Sequence, residues 1–352
     1  MTPRVAIIAA VSSFGDAGGA ERLFAGLKAA FSDAGLEATL VPVRSDETGF
    51  ENIEETYLRY YDLDLAEFDG VISAKTPAYV VRHPNHVCYL MHTMRVYYDM
   101  FDFSFPTPTE KLMRQRRLVR AWDRAALQYP RTRRRFAIGE EVADRLYRYN
   151  GLSADVVRPP STLSGLRGGP AQDYVFLPGR LHKWKRVELA IRAMRHVTSP
   201  VRLLISGSGE HEHELRALAA SIPQVEFLGR VADARLADLY AGALAVLFTP
   251  WREDLGLVTL EAFESGKPVI TCLDSGEPAR LVRHDRSGFV CPPTPAALAG
   301  RIDQLADDRD LAARLGECGR ASIVGITWSA VTSALIEALG FDGAGAGSRL
   351  TP

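Results

Sequence analysis

Along the chain, short and nearly uninterrupted apolar runs of strand length alternate with segments whose apolar positions recur every three to four residues. The first run is "RVAIIAA" at 4–10, a helix from about Gly19 to Ala34 follows, and then come "EATLVPV", "DGVISA" and "HVCYLM". β-Branched runs separated by helical patterns predict parallel strands with helices on both faces, which is an α/β class.

The pattern breaks at 158–171 into "RPPSTLSGLRGGPA", rich in Pro, Gly and Ser, and a second alternating series begins after it. That series reads "YVFLPG", a helix near Lys185 to His196, "VRLLISG", a helix near 211–220, "VEFLG", a helix over "ADARLADLYAG", "ALAVLF", a helix carrying Glu261, and "KPVIT". Two doubly wound domains are therefore expected, 1–165 and 166–327, facing each other across a cleft. A last helix at about 328–340 is expected to pack back on the first domain, and the tail 341–352, with "GAGAGSRLTP", to be disordered. In open α/β sheets, ligands sit beyond the carboxyl ends of strands, so the loops after each strand are where chemistry belongs.

Composition narrows the class. The chain has 352 residues, 47% of them apolar, enough for two real cores, and a formal net charge of −1 that argues against a nucleic-acid backbone as partner. No apolar run approaches the roughly 18 residues of a membrane span. Cys88, Cys272, Cys291 and Cys318 are scattered without a zinc or redox spacing, as expected for reduced thiols in a cytosolic protein.

The second-half loops carry the candidate chemistry. Arg180 and Lys185 follow "YVFLPG" at the entry to a helix; two cations beside helix amides suit a diphosphate, and equally suit two solvated side chains. Gly207, in "ISGSG", opens a loop that lets backbone approach a ligand, or simply makes a turn. In "REDLGLVTLEAFESGKPVI", Gly256 permits a sharp strand-to-helix turn whose first amides, at Leu255, Gly256 and Leu257, face an anion. Glu253 precedes that turn and can accept from ligand hydroxyls, while Glu261, five residues on, is placed for a vicinal diol such as a ribose. Ribose, diphosphate and sugar in a row describe a nucleotide-sugar, although by spacing alone the two acids also fit as an ordinary loop acid and helix-face acid.

These segments resemble the retaining glycosyltransferases of GT-B fold, family 4 (group 1), whose signature runs E-G-F-G-L-x-x-x-E-A and then G-x-P-V; here the chain has "EDLGLVTLEA" and "SGKPVI". "FLPGRLHKWKRVELAIRAM", "ISGSGEHEHEL", "VEFLGRVADARLADLYAGA", "SGEPARLVRHDRSGFVCPP" and, in the first half, "FGDAGGAERLFAGLKAAF" extend the likeness over nearly the whole chain. The resemblance implies two Rossmann-like domains, acceptor in the first and nucleotide-sugar in the second. It implies that Arg180 and Lys185 hold the diphosphate, Glu253 the sugar hydroxyls and Glu261 the ribose. The amides at Leu255 to Leu257 would hold phosphate and sugar, Arg230 and Val231 would lie near the base, and Gly18 and Gly19 would close over the diphosphate. His92, ending "HVCYLMH", would approach the donor sugar. Asp254 and Leu255 depart from the usual Gly and Phe, and Arg186 replaces a Gly, adding a third cation to the expected phosphate site.

The activity so implied is a metal-independent, retaining transfer of a hexose, with mannose favoured, from a GDP- or UDP-sugar to a hydroxyl of a glycan, glycolipid or small molecule. No cofactor is expected. A non-catalytic sugar-nucleotide sensor and a GT-B epimerase or phosphorylase are the alternatives. From Arg114 to Arg135 the chain has nine arginines and one aspartate, with Leu112, Val119, Trp122, Ala126 and Tyr129 interleaved at roughly helical spacing. Such a segment, 112–135, suits peripheral contact with the inner face of a plasma membrane, or a solvated helix whose stripe packs on its own domain.

Overall fold

The computed structural model describes residues 2–12 and 19–341. The chain forms two compact units, one from Met1–Pro159 together with the segment beginning at Ile326, the other Pro160–Gly325. Gly18 and the expected tail beyond Phe341 lie outside the described residues.

Six parallel strands build the first unit: β1 (Arg4–Ser12), β2 (Glu37–Ser45), β3 (Gly70–Lys75), β4 (His86–His92), β5 (Arg134–Ala137) and β6 (Asp155–Val156), in the order β2-β1-β3-β4-β5-β6. Their apolar runs are continuous because helices cover both faces: Val71, Ile72, Val87 and Leu90 are all fully buried. The closing helix Trp328–Leu339 belongs to this unit. Thr327 caps its start by accepting from the Ala330 amide, and the Trp328 ring lies over Gly26, where an added Cβ would come within 2.3 Å of it.

The second unit has β7 (Tyr174–Pro178), β8 (Arg202–Ser206), β9 (Val225–Gly229), β10 (Ala245–Leu247), β11 (Val269–Cys272) and β12 (Gly288–Cys291), all parallel, in the order β12-β11-β10-β7-β8-β9. From β7 the chain winds outward through β8 to β9, then returns to lay β10 against the other side of β7, with Val246 beside Phe176. The loops after β7 and β10 consequently diverge, and this reversal is where doubly wound sheets open a crevice.

The arginine-rich segment resolves differently from a free amphipathic helix. Thr109 caps a helix Glu110–Leu127 whose inward face buries Gln115, Val119, Asp123, Ala126 and Leu127 in the first unit. Tyr129 lies past the helix end and is 77% exposed, so it does not continue the stripe. Several of the arginines serve the fold: Arg116 donates to the carbonyls of Tyr97 and Tyr98, Arg120 to that of Tyr149, and Arg135 to those of Leu127 and Ser153. Asp123 accepts from the Tyr57 and Tyr98 hydroxyls at 2.5 Å each. The outer face keeps Arg114, Arg117 and Arg124 exposed at helical spacing.

No described helix is long and apolar enough to cross a membrane. The four cysteines are free, three buried and Cys318 exposed.

Candidate active site

Lys185 and Glu253 reach the switch point from its two sides. The chain leaves β7 through Gly179 and turns at a short 3₁₀ segment, Lys183–Lys185, before the helix Val187–Ala193 starts. Lys185 therefore precedes the helix instead of opening it. On the other side, the segment after β10 reaches Glu253, whose amide donates to the Ser275 carbonyl and whose carbonyl accepts from the Glu277 amide, fixing its backbone to the loop after β11. The Lys185 ammonium donates to Glu253 Oε2 at 2.6 Å, both side chains about a quarter exposed. The Trp251 amide donates to the Trp184 carbonyl at 2.7 Å and their rings stack with centroids 5.4 Å apart, so the two loops are joined at three points.

Gly256 has φ 73° and caps the helix Leu257–Glu264; a Cβ there would also come 2.7 Å from Pro278 Cγ, so only glycine makes this turn without strain. Leu255 is buried, leaving its backbone as the part able to meet a ligand. On the helix, Glu261 accepts from the hydroxyl of Tyr240, a fully buried residue of the helix Asp233–Gly242. Burial and the adjacent carboxylate push the Tyr240 phenol well up, which keeps it a proton donor.

The loops after β8 and β9 complete this side. Arg230 donates to Ser208 Oγ at 2.7 Å, linking them, with Val231 half-buried next to it. Gly207 has φ 121°, and an added Cβ would fall 1.9 Å from the Gly179 carbonyl oxygen, so the glycine lets the β7 and β8 loops touch each other. Arg180 is largely exposed, 3.8 Å from Glu210. Glu210 also takes His182 Nε2 at 3.0 Å; since His182 Nδ1 accepts from the Trp184 amide, the ring proton sits on Nε2 and points at the carboxylate. Desolvation holds that imidazole below its ordinary pKa.

One expectation is corrected. Arg186 does not add a third phosphate cation: its guanidinium makes a bidentate pair with Asp274 at 2.8 and 2.7 Å and donates to the Thr249 and Pro250 carbonyls. It stands at φ 49°, where the family pattern has glycine, and the four donors hold it there.

In the first unit, His92 ends β4, half-buried, with Nδ1–H donating to the Thr93 carbonyl at 3.0 Å, and Gly19 is the first residue of the helix Gly19–Asp33. Sequence reading missed Tyr240, Asp274, His182 and Glu210. Tyr240 was the findable one, the single aromatic of its helix and one with a polar tip, a residue type that takes a partner when buried.

Residues 169–322, which span β7 to β12 and every loop just described in this unit, match the family of glycosyl transferases group 1. Over this second unit the chain is similar to the group 1 glycosyl transferases. Among similar proteins, the D-inositol 3-phosphate glycosyltransferase of Streptomyces scabiei is 28% identical over 280 residues, 70% of this chain and 60% of its own length. Human alpha-1,3/1,6-mannosyltransferase ALG2 is 31% identical over 160 residues, 42% of this chain and 35% of its own length. The matches thus span less than two thirds of these relatives. The solved sucrose-phosphate synthase of Thermosynechococcus elongatus superposes with a TM-score of 0.75 at 18% identity, covering 95% of this chain and 98% of that one. Anabaena HepE, solved in complex with UDP and glucose, gives a TM-score of 0.72 at 16% identity over 96% and 99%. The fold of the chain is accordingly GT-B, two Rossmann-like units of six parallel strands.

Proposed function

We propose that this protein transfers a hexose from a nucleotide-diphospho-sugar to an acceptor hydroxyl with retention at the anomeric carbon. The observation that carries the reading is the Lys185–Glu253 pair at the switch point, a phosphate-type cation held against a hydroxyl-accepting carboxylate. Arg180, Lys185 and the first amides of the Leu257–Glu264 helix bind the diphosphate, Glu261 the ribose, and Glu253 the sugar. Acceptor binding is assigned to the first unit, with His92 directed to the donor sugar. The acceptor oxygen attacks the anomeric carbon on the face from which the diphosphate departs, the carbon–oxygen bond to phosphate breaks, and the acceptor's proton passes to the leaving phosphate oxygen. Fixed cations and amides stabilise the charge that develops on that group, the kind of preorganised term that is usually largest.

Mannose is the favoured sugar, in keeping with the mannosyltransferase name of the human relative; uridine is the favoured base, in keeping with the UDP of the HepE complex. The acceptor is a glycan, a lipid-linked sugar or a small molecule. A cytoplasmic enzyme touching anionic lipid through Arg114, Arg117 and Arg124 fits a lipid-linked acceptor; cosedimentation with anionic vesicles at low salt, lost in 0.5 M salt, is the expected behaviour.

The decisive experiment is a thermal-shift panel of UDP, GDP, ADP and their sugars in EDTA, on wild type and Glu261→Ala. One nucleotide at 100 times its Kd should add about 2.7 kcal/mol of stability. Loss of that shift in the variant supports the ribose assignment. A flat response to every nucleotide sinks the proposal.

A further inference from the structure

At the amino ends of the second unit's strands, opposite the loops of the candidate site, a cavity of about 270 Å³ lies between the segment leading into β7 and the turn leading into β11. Ser265, Gly266 and Lys267 form that turn. The helix Arg309–Ser322 is pressed against it at Gly316, where an added Cβ would fall 1.9 Å from the Gly266 carbonyl oxygen. The wall is therefore built, not a loose surface.

Three donor groups line it. Ser265 is fully buried and its hydroxyl has no hydrogen-bond partner. Lys267, 4% exposed, donates to the Gly169 carbonyl at 2.7 Å, which leaves two ammonium protons. Arg320, its side chain 40% exposed, has a buried Nε–H without a partner, while its NH1 faces Glu317 at 3.3 Å, a carboxylate that also lines the cavity from its more exposed side. Arg309 lies at the edge, engaged by the Ala171 carbonyl and Asp173. No carboxylate pairs with Lys267 among the described contacts, and burial with the neighbouring Arg320 pushes its pKa down to about 8. Arg320 has Glu317 as its counter-ion, but Lys267 is a buried cation whose hydrogen-bond partner is a carbonyl, which is unfavourable unless an anion reaches it. Nothing in the transfer reaction uses these residues.

We infer that this cavity is a second anion site, separate from the donor diphosphate, that binds a phosphate group as inorganic phosphate or as a phosphomonoester. Ammonium, hydroxyl and guanidinium N–H are all donors, which is what phosphate oxygens require. The volume exceeds a bare phosphate and leaves room for a small organic group on it. Occupancy ties the turn before β11 to the segment before β7.

The test is a titration of the full chain, followed by thermal shift and calorimetry, with inorganic phosphate and with a hexose 6-phosphate against chloride at equal ionic strength. Wild type, Lys185→Ala, Lys267→Met and Ser265→Ala are compared. Phosphate should stabilise wild type and Lys185→Ala alike and bind Lys267→Met at least tenfold more weakly, with Ser265→Ala also weakened. Lys267→Met should melt no lower than wild type in chloride, since it removes an uncompensated charge. If that variant does not fold, Ser265→Ala decides. A tighter hexose phosphate identifies a phosphomonoester site, and equal affinities a phosphate site. No response, a response lost in Lys185→Ala, or one unchanged in both Lys267→Met and Ser265→Ala overturns the inference.

Discussion

The Lys185 ammonium and the Glu253 carboxylate, 68 residues apart in sequence, meet at 2.6 Å and are each other's counter-ion. On the proposed reading a donor substitutes for both at once, its diphosphate taking the lysine and its sugar hydroxyls the glutamate. Partly exposed pairs of this kind contribute on the order of 1 kcal/mol to stability. Lys185→Ala and Glu253→Gln should therefore melt close to wild type while each lowers kcat/KM by about 10² to 10³. Their effects on nucleoside diphosphate should have opposite signs. Lys185→Ala weakens it, whereas Glu253→Gln releases the lysine and leaves it unchanged or tighter. Equal weakening in both variants would contradict the exchange.

Tyr240 positions Glu261 from inside the protein, where its hydroxyl has been taken out of water. Tyr240→Phe removes one hydrogen bond to a charged acceptor, worth about 1.5–3 kcal/mol at most. Donor KM should rise roughly tenfold to a hundredfold with kcat little changed, because ribose is held alike in ground and transition states. Glu261→Ala should show the larger KM effect, and the double variant no more than Glu261→Ala alone. Additive effects would place Tyr240 outside this interaction.

Activity should persist in EDTA. On the proposed scheme the charge on the leaving diphosphate is met by Arg180, Lys185 and helix amides, so no metal ion is called for. Steady-state assays with and without Mg²⁺ and Mn²⁺ check this, and a strict requirement for either ion would refute the scheme.

Arg186 shows where the sequence stopped being legible. The alternation of apolar runs with helical patterns sufficed for two parallel sheets, because continuous burial of strands such as β3 and β7 is written locally. The turn at Gly256 was likewise local. The partner of Arg186 is Asp274, 88 residues away, and nothing in "HKWKR" signals it. The arginines after Arg114 posed the same difficulty, since their acceptors are carbonyls at Tyr97, Tyr98 and Tyr149. Composition displays the charges, and only the fold reveals which are already satisfied.

A prediction follows for that arginine. Arg186→Gly relieves a left-handed backbone, a gain of about 1 kcal/mol, but loses the bidentate pair and two carbonyl bonds. The variant should be less stable by a net 1–2 kcal/mol or so, while donor KM stays within about twofold. A large rise in donor KM with unchanged stability would restore Arg186 to the phosphate site.

Asp123 gives the first unit a pH dependence of unusual sign. Its carboxyl is fully buried, and desolvation raises its pKa from 3.8 to about 6, against the lowering effect of the tyrosine hydroxyls of Tyr57, Tyr98 and Tyr79. Because the folded state holds this proton more tightly than the unfolded chain, stability from this group is present below pH 3.8 and lost as pH rises to about 6. The loss is about 3 kcal/mol. His86 acts the other way: buried against Ser73 at 2.7 Å, it is pushed from 6.5 to about 4 and costs stability as pH falls through that window. The two trends overlap, so the wild-type curve alone is uninformative. Asp123→Asn isolates the first: between pH 4 and 7 its unfolding free energy relative to wild type should rise by roughly 2 kcal/mol in urea titrations, and a constant difference would mean that the carboxyl stays ionised throughout.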